Sequence, residues 1–364
     1  MRLKFLMLGV TVAVLAACGK EEAKPAAGAA ATDAPKAEVK AGLNGAGSSF
    51  IAPLFSKWAA EYNKSTGVAV NYQSVGSGAG IDQIKKKTVD FGASDAPMKA
   101  EELATEGLVQ FPSAIGGVVA VYNIKDLAQP LVFNGQVLGD IYLGKIKKWN
   151  DPAIAALNKG AKLPDMDIKV VRRSDGSGTT YLFTEFLAKT NAEWTKLGAN
   201  KSPAWIEGTI GGKGNEGVAT NVKQFDGSIG YVEYIYAKKN GMSSASMVNK
   251  DGKVVAPSVE SFSAAASKAD WKVPGMAASL TYAAGEKSWP IAGTAFVLMH
   301  TKQDNPDNAA KILKFFDWGY TNGNAISTEL EYIPLPAEVV TLVKAEWKKI
   351  TDASGKAIMP QSVD

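Results

Sequence analysis

Arg172-Arg173-Ser174-Asp175-Gly176-Ser177-Gly178-Thr179-Thr180 is the stretch whose reading decides the rest of the chain. Ile168, Val170 and Val171 ahead of it have the β-branched character of a strand. Tyr181, Leu182, Phe183, Phe186 and Leu187 behind it recur at helical spacing. The loop therefore stands at the mouth of a helix, where the first N–H groups lack acceptors and the dipole is positive. Gly176 and Gly178 allow close backbone approach, Ser177, Thr179 and Thr180 bring hydroxyls, and Arg173 brings a permanent planar cation. Everything in the loop except Asp175 favours a small oxyanion.

Two further stretches repeat this chemistry. Gly45-Ala46-Gly47-Ser48-Ser49-Phe50 precedes an apolar stripe, Phe50, Ile51, Leu54, Phe55, Trp58, Ala59 and Tyr62, which is one face of a helix of about four turns. The serines fit an N-cap equally well. Val68 to Tyr72 alternates as a strand and leads into Gly76-Ser77-Gly78-Ala79-Gly80 and then Ile81 and Ile84. That second loop is neither a Walker loop nor a dinucleotide fingerprint. Between these features, Asp90-Phe91-Gly92-Ala93-Ser94-Asp95-Ala96-Pro97 reads as a short strand stopped by Pro97. This puts Asp95 at the carboxyl end, where open α/β sheets bind ligands. The bland alternative is a turn aspartate bonded to its own backbone.

Strands continue to alternate with helices. Ile115 to Tyr122 and Ala295 to His300 read as buried strands, Gly227 to Tyr234 as another strand, and Val218 to Val222, Ala309 to Tyr320 and Val339 to Trp347 as helices. Residues 244–288 are polar and weakly patterned. The three lysines of Lys145-Ile146-Lys147-Lys148 read as a solvated face. Such alternation indicates an α/β protein. At 364 residues it is long enough for about two domains. Crossover candidates near 116–124 and 291–300 assign 41–120 plus 290–364 to a discontinuous first domain and 121–289 to a second. The formal charge of +4 is too small and too evenly spread for a nucleic-acid binder.

The N-terminus reads differently. Residues 1–17 carry a basic tip (Arg2, Lys4) and an apolar run, as in a secretory signal peptide, and Leu15-Ala16-Ala17-Cys18 resembles a bacterial lipobox. Cys18 is the sole cysteine, so it has no intramolecular disulfide partner and is the expected lipidation site. Residues 18–40, rich in Ala, Lys, Glu and Pro, read as a lipidated end and flexible tether. The expected location is the bacterial cell envelope, on the periplasmic side.

Gly45 to Phe50, Val89 to Pro97 and Arg172 to Thr179 together resemble the signature segments of the periplasmic phosphate-binding proteins of phosphate-specific ABC transporters. Gly139 to Trp149, Gly211 to Asn215, Gly230 to Tyr234 and Phe315-Phe316-Asp317-Trp318 follow in the same order, so the resemblance spans roughly residues 43–355. It implies a two-domain clamshell with a mixed sheet in each domain and two crossover strands. It also implies one phosphate held between the domains and delivery to a membrane permease, by a monomer with no cofactor, no metal and no catalysis. Carried over by position, the phosphate contacts are Ser49 and the Phe50 backbone, Ser77, Asp95, Arg173, Ser177, Gly178 and Thr179. Ser49 stands where many members have threonine, and Gly78 where some have a second serine. Asp175, two residues from Arg173, is expected to orient its guanidinium.

Chemistry suggests why a phosphate binder would carry a carboxylate. Phosphate keeps a proton at neutral pH and sulfate does not, so Asp95 would accept from the one and repel the other. Two other readings compete. A phosphoryl hydrolase would need a base, but the only histidine, His300, ends an apolar strand pattern, and there is no Gly-x-Ser-x-Gly elbow. A binder of another oxyanion or of a phosphorylated metabolite would use the same helix-mouth loops.

Overall fold

The computed structural model describes residues 42–127 and 129–360. Cys18, the signal segment and the tether lie outside them. The strands are β1 (Leu43–Gly47), β2 (Val70–Ser74), β3 (Phe91–Ser94), β4 (Leu108–Asn123), β5 (Val132–Phe133), β6 (Lys169–Arg173), β7 (Ile210–Gly212), β8 (Ser228–Glu233), β9 (Ser243–Ser244), β10 (Ser246–Val248), β11 (Val254–Val255) and β12 (Ala292–His300).

The long strand β4 joins two mixed sheets. Its residues 108–117 pair antiparallel with β12, and its residues 118–123 pair antiparallel with β8, giving the path β2-β1-β3-β12-β4-β8-β6-β7, with β9 also on β4. Within the first half β1 runs parallel to β2 and β3, and within the second β6 runs parallel to β7 and β8. The chain returns to the first half at the head of β12, where the Val118 N–H donates to the Ile291 carbonyl at 2.9 Å. Gly116 and Gly117 mark the changeover. A Cβ on Gly117 would stand 2.2 Å from the Phe262 ring, and one on Gly116 would stand 2.8 Å from Phe50, so the backbone passes where no side chain fits.

The carboxyl ends of β1, β2, β3 and β6 carry the loops singled out above, as the switch-point rule for open α/β sheets requires. The apolar stripe after β1 forms the helix Ala52–Thr66, which buries Leu54, Phe55, Trp58 and Tyr62 and ends at Gly67 in the left-handed region, φ 71°. Phe55 and Trp58 meet Phe316 and Phe315 of the helix Pro306–Asn322 edge-on, at 5.5 and 6.4 Å.

The region 244–288 is more ordered than its pattern suggests. Here β10 pairs with β5 and β11 in a separate three-stranded sheet, and a capping box of Ser258 and Ser261 starts the helix Val259–Ala266. Strands this short show no periodicity of their own; the distant partners Val132 and Phe133 create them.

Candidate functional site

The bland reading of the first loop fails on the position of its helix. That helix begins at Ala52 with Ile51 as an N-cap that makes no side-chain bond, so Ser48 and Ser49 do not cap it. The Ser48 hydroxyl donates to Asp95 Oδ1 at 2.5 Å, and its oxygen accepts the Phe50 N–H at 2.9 Å. The Phe50 N–H is therefore engaged by Ser48. Ser49 faces the second sheet, where its Oγ accepts from the Asn215 N–H at 3.1 Å and from Asn215 Nδ2 at 2.8 Å.

Ser77 is the first residue of the helix Ser77–Lys85, preceded by Gly76 at φ 91°. Its Oγ lies 3.3 Å from the Asp95 N–H, which donates to it. Asp95 is 1% exposed, and its Oδ2 has no hydrogen-bond partner among the described residues. It sits against the opposite loop: a Cβ on Gly178 would be 2.5 Å from both Asp95 Oδ2 and Ser77 Oγ.

The loop after β6 supplies the cation. Arg173, 3% exposed, donates Nε to Asp175 Oδ1 at 2.8 Å and Nη2 to Asp175 Oδ2 at 2.5 Å, a planar fork on a carboxylate. Its Nη1 reaches Thr179 Oγ1 at 3.5 Å. Asp175 also accepts the Gly214 N–H at 3.1 Å. Burial works against its ionisation, but the Arg173 fork and charge and the Gly214 N–H outweigh burial and hold its carboxyl below the usual range. Ser177 caps the helix Gly178–Thr190 by accepting the Thr180 N–H at 3.0 Å, leaving its own proton free. The Gly178 and Thr179 N–H groups are first-turn donors without a helical acceptor.

Ser49, Ser77, Asp95, Arg173, Ser177 and Thr179 are thus all buried, and two sheets deliver them to one place. Contacts across the junction hold the halves together: the Gly78 N–H donates to the Gly176 carbonyl at 2.9 Å, and the Tyr236 hydroxyl donates to the Ser49 carbonyl at 2.7 Å. Ser48, Asn215 and Tyr236 belong to this constellation but were not singled out in the sequence. Ser48 adjoins a chosen residue, Asn215 closes the quoted segment Gly211 to Asn215, and for Tyr236 no local signal exists. His300 is elsewhere in the fold, with Nε2 2.7 Å from the Ile84 carbonyl. Among the described residues no group of three His, Cys, Asp or Glu could hold a metal ion.

Burial pushes the Asp95 carboxyl up to about 7, against the opposing pull of the Ser48 hydroxyl, the Arg173 charge and Ser77. An unfolded aspartate ionises near pH 4, so between about pH 4 and 7 the unfolded chain releases this proton while the native protein, without ligand, retains it. Native stability from this group is full below the window and is lost as pH rises through it, by up to about 4 kcal/mol. Urea unfolding across that range in anion-poor buffer is expected to show wild type losing stability relative to Asp95→Asn. Parallel pH profiles would contradict the assignment.

A family model described as a PBP superfamily domain matches residues 25–322. The phosphate-binding protein PstS of Pasteurella multocida is 52% identical over 320 residues, 87% of this chain and 93% of that protein. Its counterpart in Haemophilus influenzae is 52% identical over 309 residues, 84% of this chain and 92% of that one. A high-affinity periplasmic phosphate-binding protein solved with phosphate superposes with TM-score 0.69 at 22% identity, covering 89% of this chain and all of that one. A phosphate-binding protein from Stenotrophomonas maltophilia gives TM-score 0.64 at 20% identity, covering 87% and 99%. These two structures show the likeness of fold, and the half-identical relatives show the lineage. The chain belongs to the PBP superfamily, within the PstS family of phosphate-binding proteins.

Proposed function

We propose that this chain is the extracytoplasmic substrate-binding component of an ABC-type phosphate importer, holding one inorganic phosphate between two closing lobes and delivering it to a membrane permease. One observation carries the reading: Asp95 Oδ2, a buried carboxylate oxygen without a partner among the described residues, lies against Gly178 at the mouth of a helix that offers N–H and hydroxyl donors. Many donors with one acceptor is the complement of an oxyanion that still holds a proton.

In this reading the hydroxyls of Ser49, Ser77, Ser177 and Thr179, the N–H groups of Phe50 and Gly178, and Arg173 donate to the phosphate oxygens, while Asp95 accepts the remaining proton. The Phe50 N–H shares itself with Ser48 Oγ. Asp175 holds the Arg173 fork in plane and keeps the net charge of the pocket low. The lobes are 41–120 with 290–364, and 121–289, with β4 running from one to the other. Closure is a population shift toward the state in which both lobes supply donors. The site binds without catalysis: Ser177 Oγ serves as a helix cap, and the one imidazole is turned to a backbone carbonyl.

The protein acts as a monomer on the periplasmic side, tethered by a lipid on Cys18. No helix among the described residues is long and apolar enough to cross a membrane. Mass spectrometry of the mature N-terminus checks the acylation; an unmodified Cys18 removes that part of the proposal.

Charge-assisted hydrogen bonds worth roughly 1.5–3 kcal/mol each, several at once, support affinity of about 1 μM or tighter. Calorimetric titration at about pH 9, where the Asp95 carboxyl is ionised and phosphate and arsenate each still hold a proton, is expected to show both binding in this range and sulfate at least about 100-fold more weakly. Sulfate binding as tightly as phosphate would overturn the reading. Scattering profiles are expected to contract with phosphate, and coincident profiles would remove the closing step.

A further inference from the structure

Asn215 joins the two halves of the site, is fully buried, and makes polar contacts whose sense is fixed. Its Oδ1 accepts the Glu233 N–H at 2.8 Å, so the amide can face only one way. Nδ2 then spends its two protons on Ser49 Oγ at 2.8 Å and Thr179 Oγ1 at 3.1 Å. The Asn215 N–H gives Ser49 Oγ a second proton at 3.1 Å, and Arg173 Nη1 gives Thr179 Oγ1 a second at 3.5 Å.

A hydroxyl has one proton and two lone pairs. With both lone pairs engaged, the Ser49 and Thr179 hydroxyls can meet a third group only as donors. An amide turned the other way would leave the Glu233 N–H unpaired inside the protein. It would also present an oxygen to which both hydroxyls would donate, withdrawing them from any ligand.

We propose that Asn215 is a positioning residue that sets the donor sense of Ser49 and Thr179 toward the bound oxyanion. The inference rests on the phosphate reading above. Ser48 does the converse for the acceptor: by donating to Asp95 Oδ1 at 2.5 Å it occupies one carboxylate oxygen and leaves Oδ2 for the ligand's single proton. The pocket thereby has a fixed pattern of hydrogen-bond polarity, donors from Ser49 and Thr179 and an acceptor from Asp95, before any anion arrives. Neither Asn215 nor Ser48 needs to touch the anion.

A mutant cycle read by calorimetry with inorganic phosphate tests this. Asn215→Ala is expected to weaken binding on the order of 10- to 100-fold in the wild-type background. In a Ser49→Ala/Thr179→Val background, where no hydroxyl remains to be oriented, the same change is expected to cost less than about threefold. Should Asn215→Ala not fold, as thermal melting would show, Asn215→Asp replaces it. It keeps the shape and the acceptor for the Glu233 N–H, but offers the hydroxyls an oxygen. Its loss is expected to be at least about tenfold greater in the wild-type background than in the hydroxyl-free one. Equal losses in both backgrounds overturn the inference while leaving phosphate binding standing. Wild type that does not bind phosphate overturns the functional reading, and the inference with it.

Discussion

Asp95→Asn is expected to abolish the preference for phosphate over sulfate. The Ser48 hydroxyl is committed to Oδ1 at 2.5 Å, so the amide oxygen of an asparagine takes that place and its NH₂ occupies the position of Oδ2. The one acceptor facing the ligand becomes a donor. Above about pH 7, where the Asp95 carboxyl of wild type is ionised, a sulfate oxygen would meet a carboxylate with nothing to donate, inside a site too buried for water to screen the repulsion. Such an unpaired contact costs several kcal/mol. In the variant the same oxygen gains a hydrogen bond. Sulfate affinity is therefore expected to rise at least about 100-fold, each tenfold step being about 1.4 kcal/mol. Phosphate changes less, because it can turn an unprotonated oxygen toward the amide. Paired titrations of the two anions decide the matter, and an unchanged selectivity ratio would show that Asp95 does not discriminate.

A single methyl group is expected to have the second large effect. Gly178 is the first residue of its helix and has no unusual φ, so alanine can adopt its backbone conformation and is the better helix former. Its Cβ, however, would lie 2.5 Å from Asp95 Oδ2 and Ser77 Oγ and 2.7 Å from Asp95 Cβ. All three atoms belong to the opposite half of the site, and the last cannot swing away without moving the backbone. Gly178→Ala is expected to keep or slightly raise thermal stability while lowering phosphate affinity at least about 100-fold, because closure forms most of the hydrogen bonds. Scattering should show no contraction on adding phosphate. Wild-type affinity in this variant would mean that the close approach of the two loops is not needed for binding.

The two effects differ in how visible they were beforehand. Asp95 was legible because Pro97 ends its strand and places a carboxylate at the carboxyl end of a sheet. The loop from Arg172 to Thr180 was legible because a strand pattern, glycines and hydroxyls, and a helical pattern follow one another without a gap. Arg173 and Asp175, two positions apart, do form the fork expected of them. Ser48 was left between two readings because serine before a helix is often a cap; only the position of Asp95, 47 residues on, gives its hydroxyl another acceptor. Tyr236 sits at a helix start with an ordinary amphipathic neighbourhood, and its contact with the Ser49 carbonyl arises entirely from the meeting of the halves.

Local chemistry is encoded in runs of a few residues, and so the alternating α/β order, the three helix-mouth loops and the acidic residue at a strand end were all legible in the amino-acid order. Their convergence was not. Two half-sheets sharing β4 bring Ser49 within 2.8 Å of Asn215, 166 residues away, and leave one oxygen of Asp95 buried and unpaired beside Gly178. Hydrogen-bond polarity depends on which lone pairs are already occupied. Pairing of distant strands alone decides that, since it settles which groups are close enough to occupy them.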